Sequence, residues 1–373
     1  MALRSYAIID SPAPLVAALR DESWQVIAPV ERNGSLVLAP IRSANDLPRG
    51  RVDQASPGNV RIEEGRPERW FDYTLPASGW KRWLYPPRRQ LWQATRVRDA
   101  FDLETPLPDP ENVAFMGLRP CDLAAIERLD AVLGPEGAAD TEYMRRRRHM
   151  LSVVVQCARA VETCFCAGMG TGPRAEHGFD LALTELETGL LVEAGSQRGV
   201  GILERLPSRE AREKDIEEAR AISQKTARMQ RRSLPPSAAQ NIAQAPDHPE
   251  WDRLAARCLA CGNCTLVCPT CFCTDVEDTT DLSGKHAERW QVWDSCFATA
   301  FSFLHEGPVR TSVRSRYRHW LTHKLATWYD QFGTSGCVGC GRCIAWCPVG
   351  IDLTAAAEAI AQPASPKPAS KGG

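Results

Sequence analysis

The chain has 373 residues, with 45 lysines and arginines against 46 aspartates and glutamates, a formal charge of -1, and 43% hydrophobic residues. This balance offers nothing global to attract nucleic acid or an anionic membrane, so partners must be chosen by local features. The length exceeds the usual single core and predicts two or three compact units.

The opening MALRSYAIIDSPAPLVAALRDES meets charge and proline before any apolar stretch reaches signal-peptide length, and no later run approaches a membrane span. A soluble, cytoplasmic protein with no membrane partner is therefore expected. NVAFMGLRPCDLAAIERLDAVLG reads as a buried strand, a tight turn at Gly117 and a helix opening with Pro120, whose apolar face is Leu123, Ile126, Leu129 and Leu133 and whose stop is Gly134. MLSVVVQC is a second buried strand leading into the cysteine-bearing loop CARAVETCFCAGMGTGP. FDLALTEL and GLLVEAGS follow as two strands, expected to be antiparallel.

From about 207 to 232 the sequence is rich in helix formers, acidic early and basic late, as the helix dipole favours. SLPPSAAQNIAQAPDHPE then reads as a proline-rich linker. The expected organisation is α+β: a mixed α/β N-terminal domain over 1–205, a charged helix and linker over 206–250, a mainly helical cysteine-rich domain over 251–355, and a disordered tail over 356–373.

Fifteen cysteines in a chain with no export signal, clustered rather than dispersed, point to metal rather than disulfides. Two runs stand out: Cys258, Cys261, Cys264 and Cys268 before Pro269, and Cys337, Cys340, Cys343 and Cys347 before Pro348. Both fit C-x2-C-x2-C-x3-C-P, the pattern of bacterial two-cluster ferredoxins, in which the fourth cysteine serves the other cluster. Three sulfurs at intervals of three on a tight loop reach three corners of an iron-sulfur cube, and the fourth lies where the chain turns away.

Carried over, that pattern gives one [4Fe-4S] cluster Cys258, Cys261, Cys264 and Cys347, and the other Cys337, Cys340, Cys343 and Cys268. Structural zinc is the bland alternative, but zinc sites usually separate two short pairs by a longer loop. The domain is thus expected to be ferredoxin-like, elaborated by the long insertion between the runs.

Cys164 and Cys166 in TCFCAG, Cys271 and Cys273 in TCFCTD, and Cys296 in WDSCF remain. Four of these five are candidate ligands of a third iron-sulfur cluster, with buried thiols as the alternative. Cys121, at a helix N-terminus, has a lowered thiolate pKa available to it, although a packed thiol fits as well; Cys157 reads as core. GMGTG follows a cysteine loop and not a strand, so it fails the context of a dinucleotide site; its N–H groups are expected to face cluster sulfide. The basic stretch VRTSVRSRYRHWLTHK lies between the cluster motifs and could offset their negative charge. With no H-E-x-x-H and no G-x-S-x-G in the sequence, no catalytic constellation is expected.

GLRPCDLAAI, CFCAGMGTGP, GFDLALTEL, CLACGNCTLVCPTCFCTDVED, WDSCF, RYRHWLTHK and GCVGCGRCIAWCPVGID together resemble the beta subunit of cytoplasmic multisubunit [NiFe] hydrogenases, the sulfhydrogenases, and the related A subunit of anaerobic sulfite reductase. The resemblance implies a non-catalytic electron-transfer subunit of a hetero-oligomer. It would relay electrons between the hydrogenase small subunit, itself bound to the large subunit, and a flavin-bearing subunit that handles NAD(P)H. In the alternative it feeds a sirohaem partner.

Overall fold

The computed structural model describes residues 5–74, 76, 77, 79–106 and 109–363. The fold is α+β. Its N-terminal part is built on an eight-stranded mixed sheet. In chain order the strands are β1 (Ser5–Ile9), β2 (Gln25–Arg32), β3 (Ser35–Pro40), β4 (Arg51–Ser56), β5 (Asn59–Glu64), β6 (Arg88–Val97), β7 (Ala100–Glu104), β8 (Val113–Leu118), β9 (Met150–Val155), β10 (Leu181–Leu186), β11 (Gly189–Ala194), β12 (Arg209–Glu210), β13 (Thr274–Thr280) and β14 (His286–Trp293). The large sheet runs β12-β1-β11-β10-β9-β8-β2-β3, parallel from β10 to β2 and antiparallel at both ends.

The central strands read as unbroken apolar runs because both faces are covered. Val26, Ala28, Ala114, Val153 and Val155 pack on one face with Leu15, Val16 and Leu19 of the helix Ala13–Asp21. Ile27, Phe115 and Val154 pack on the other with the helix Pro120–Leu133. Leu123, Ile126, Leu129 and Leu133 are buried as their helical spacing predicts. FDLALTEL and GLLVEAGS supply β10 and β11, which pair antiparallel.

Gly117 makes a bulge inside β8 and not the expected turn. Pairing with β9 shifts between Met116 and Leu118, Gly117 has a φ of 96°, and a Cβ there would stand 2.9 Å from Pro29 Cδ. The strand survives the irregularity because neighbours flank it on both sides.

The helix Glu213–Met229 lies on the sheet, with Ala219 buried against Ile8, Leu186 and Leu191. The proline-rich segment carries the helix Ala238–Gln244, whose Ala238 and Ile242 enter a C-terminal core with Trp251, Phe297, Tyr317 and Trp320. Leu353, Ala356, Ala357 and Ile360 join that core from the helix Leu353–Ala361. The disordered tail expected from residue 356 is thus helical to 361; Asp352 caps it by accepting from Thr354 N at 2.9 Å, and alanine-rich sequence propagates it. The remainder of the tail, from residue 364, lies outside the described residues.

The insertion between the cysteine runs is a β-ribbon. β13 and β14 pair antiparallel, and β14 pairs with β6, forming the four-stranded sheet β13-β14-β6-β7. Strands from both halves of the chain therefore share one sheet, which brings the TCFCTD and WDSCF segments at its base against N-terminal residues.

Candidate iron-sulfur centre

The two cysteine runs fold alike. Cys258 caps the helix Glu250–Arg257, the chain passes through positive φ at Ala260 (51°) and Gly262 (73°), and one helical turn spans Asn263–Leu266. In the second run positive φ recurs at Gly339 (64°) and Gly341 (76°), and the turn is Arg342–Ala345. Positive φ beside the second cysteine turns the backbone so that N–H groups point back toward sulfur. Ala260 N donates to Cys258 Sγ at 3.4 Å, and Gly339 N donates to Cys337 Sγ at 3.4 Å. The fourth cysteines also have donors: Ile351 N reaches Cys347 Sγ at 3.3 Å, and Lys324 Nζ reaches Cys268 Sγ at 3.3 Å.

Cys347 lines one apolar cavity with Cys258, Cys261 and Cys264, walled by Phe297, Tyr317, Trp320, Ile351 and Leu353, and Cys343 of the second run also reaches its wall. Cys268 faces the opposite set, interacting electrostatically with Cys337, Cys340 and Cys343. Asn263 Nδ2 bonds Trp346 O and ties the runs together.

Burial pushes the Cys264 and Cys343 thiols well above their ordinary range and Cys337 up to about 12, the last opposed by the Lys324 ammonium. A ligating cysteine is a thiolate, so these buried positions need cationic metal to compensate the charge. Sulfurs already supplied with N–H donors, in two sets of four, fit a [4Fe-4S] cube. Among the described residues no three His, Cys, Asp or Glu side chains converge tightly enough for a lone metal ion.

The second run is pressed against the N-terminal half. Phe165 N bonds Gly339 O at 2.9 Å, the Thr171 hydroxyl bonds Val338 O at 2.6 Å, and Arg342 Nε bonds Pro76 O at 3.0 Å. Buried Arg342 also ion-pairs with buried Asp122 at 2.8 Å. A Cβ on Gly341 would stand 2.2 Å from Thr163 O, and one on Gly339 2.7 Å from Phe165 O.

The five further cysteines fall into two groups. Cys271, Cys273 and Cys296 gather about Lys324, whereas Cys164 and Cys166 lie with Cys157, and Cys166 also faces Cys340. Burial drives Cys166 and Cys296 up to about 12. Cys121 shows no lowered pKa: burial, reinforced by Asp122, raises it well above the ordinary thiol, because desolvation outweighs the helix terminus. The GMGTG loop turns three of its amides onto its own backbone and not toward sulfide. Met169 N and Thr171 N bond Cys166 O, and Gly170 N bonds Ala167 O.

Two lysines complete the surroundings of Cys268. Lys324 Nζ donates to Cys268 Sγ at 3.3 Å, Thr270 Oγ1 at 3.1 Å and Gly336 O at 3.3 Å. Lys81 Nζ donates to Cys268 O and Cys271 O, each at 3.0 Å, and sits 4.0 Å from the Trp293 ring centroid. Cys268 is held well below the ordinary thiol range, first by its hydrogen bond with Cys271 and, against burial, by Lys324. Lys324 falls inside the basic stretch that the sequence marks. Lys81, in GWKRWLY, carries no sequence signal of its role, since its partners lie 187 and 190 residues away.

Two four-cysteine runs lie side by side in this α+β chain, the donor set of an iron-sulfur protein. The description "4Fe-4S dicluster domain" matches residues 257–351. Over 291 residues, 76% of this chain and 82% of the relative, the sequence is 32% identical to sulfhydrogenase 2 subunit beta of Pyrococcus furiosus. The chain belongs to the sulfhydrogenase beta subunit family, as an iron-sulfur electron-transfer subunit. No solved structure matches it, and among the described residues no helix is long and apolar enough to cross a membrane.

Proposed function

We propose that this chain is the electron relay of a hydrogenase complex, joining the [NiFe] small and large subunits to a flavin- and NAD(P)-binding subunit in the cytoplasm. Two [4Fe-4S] clusters, one on Cys258, Cys261, Cys264 and Cys347 and one on Cys337, Cys340, Cys343 and Cys268, accept and release single electrons when bound. The observations that support the reading are the cavity in which Cys347 joins all three leading cysteines of the first run, with Cys343 at its wall, and the interaction of Cys268 with Cys337, Cys340 and Cys343. The protein residues hold the sulfurs, donate to them and bury Cys337 and Cys268 of the second set. Cys261 is exposed, which brings the first set to the surface where a partner can approach.

The domain boundaries follow the same reading: 1–205 and 206–250 as platform and connecting helices, 251–355 as the cluster-bearing unit. A third cluster drawing four ligands from Cys164, Cys166, Cys271, Cys273 and Cys296 has to bridge two separate thiol groups. Two clusters give about eight iron atoms per chain and three give about twelve, and anaerobic iron analysis decides.

Cys347→Ala is expected to remove the EPR signal of the cluster shared with Cys258, and Cys268→Ala that of the other. Loss of the sequence-neighbouring cluster in either variant refutes the crossover. Anaerobic co-purification with mass spectrometry tests the partners: hydrogenase and flavin subunits support the relay, and a sirohaem protein replaces it with the sulfite reductase alternative.

A further inference from the structure

The charge around the two thiol sets differs. Lys81 and Lys324 are 6% and 4% exposed, and both Nζ atoms contact the Cys268–Cys271 segment. Their hydrogen bonds run to carbonyls, a hydroxyl and a thiol sulfur; among the described residues neither ammonium lies in an ion pair with a carboxylate. A buried cation without a counter-charge is strongly disfavoured, so this pair requires an anion beside it. A [4Fe-4S] cube with four thiolates is that anion, and it gains one further negative charge on reduction.

Two other buried arginines near the thiol sets are placed differently from these lysines, without a hydrogen bond to a cysteine sulfur. Arg342, next to Cys343 in sequence, is neutralised by Asp122 at 2.8 Å. On the side of the first set, buried Arg316 acts on Cys258 across space, but it makes no hydrogen bond to sulfur and gives its Nη1 to Thr299 Oγ1 at 2.8 Å. The first set meets an aromatic and aliphatic cavity and has an exposed cysteine.

We infer that Lys324, seconded by Lys81, is a potential-setting positioning residue that makes the cluster on Cys268 the easier of the two to reduce, so that an electron entering the chain comes to rest there. The inference builds on the two-cluster assignment above. A fixed ammonium against the Cys268 sulfur stabilises the reduced cube more than the oxidised one, because its attraction grows with the cube's charge. Lys81 acts on the same corner through the peptide dipoles whose carbonyls it holds. The lysines take no part in bond making; they shift an electron equilibrium.

The test is an anaerobic EPR redox titration of the full chain, with the cluster lost in Cys268→Ala serving to identify the signal. At the potential where that cluster is half reduced in the wild type, Lys324→Gln is expected to lower its reduced-to-oxidised ratio at least tenfold, about 59 mV for one electron. Lys324→Arg should restore it, and the Cys347-linked signal should not move. Lys81→Met, which leaves the sulfur contact intact, should shift the same signal in the same direction by less. Retained iron with an unchanged ratio in Lys324→Gln overturns the inference. If Lys324→Gln loses the cluster, Lys81→Met decides by the same criterion, and loss of the cluster in both variants also overturns it, since the lysines would then be structural. Absence of a Cys268-dependent signal in the wild type defeats instead the ligand assignment on which the inference stands.

Discussion

The first cysteine run, 258–268, and the second, 337–347, share spacing, helical turn and N–H to sulfur bonds, yet their settings are opposite. The first has an exposed Cys261, carries alanine at its left-handed position 260, and a Cβ on Gly262 would meet side chains and not backbone, Ser295 Oγ at 3.0 Å and Cβ at 3.2 Å and Thr265 Oγ1 at 3.8 Å. The second needs glycine at both left-handed positions because backbone from the 163–166 loop fills the space a side chain would take. A ligand motif fixes how a loop wraps its cube. The packing partner fixes which of its small residues are interchangeable.

Removal of iron should separate the two runs most strongly. Chelation under reducing conditions is expected to leave the eight-stranded sheet folded while amides of 258–268 lose hydrogen-exchange protection, with 337–347 losing less because Phe165, Thr171 and Arg342 still tie it to the N-terminal half. Equal loss in both runs would break the contrast.

Gly341→Ala should come next. A Cβ 2.2 Å from Thr163 O cannot be accommodated without backbone movement, and with left-handed strain added the cost is about 3 kcal/mol, read from denaturant unfolding. Ala260→Gly, which relieves strain in the open run, should change stability by less than about 1 kcal/mol.

The smallest effect is acid sensitivity in the helix Val313–Thr322, which supplies Tyr317 and Trp320 to the first cavity. Burial, with Arg310 and His323 adding, lowers His319 from 6.5 to about 4. Above pH 6.5 the ring is neutral folded or unfolded and contributes no pH dependence. Between 6.5 and 4 the unfolded chain binds a proton that the fold refuses, so stability falls as pH drops through that window and levels off below it. Urea midpoints at pH 7 and pH 5 should differ more for the wild type than for His319→Gln.

The dicluster character of 257–351 was legible because cluster chemistry demands fixed local intervals, and the helix at Pro120 and the β10–β11 pair were legible because local pattern decides them. The bulge at Gly117 was not, since only the neighbouring Pro29 reveals why the chain kinks without stopping. The ribbon β13–β14 escaped because its register is set by β6, far upstream. The tail helix was missed because its alanines are judged by the core they enter and not by their own weak polarity contrast. Lys81 escaped for the same reason of distance. The surplus cysteines were legible as a group, but the division between Lys324 and Cys157 is a property of the fold alone.

Because Thr163 and Phe165 form the floor beneath Gly339 and Gly341, the second run is shaped against a surface made long before its own sulfurs leave the ribosome. In chain order the supporting backbone of 163–165 therefore precedes the cysteines that rest on it. The same ordering makes the C-terminal module a poor graft, for transplanted alone it would leave behind the mould in which half of its cofactor is cast.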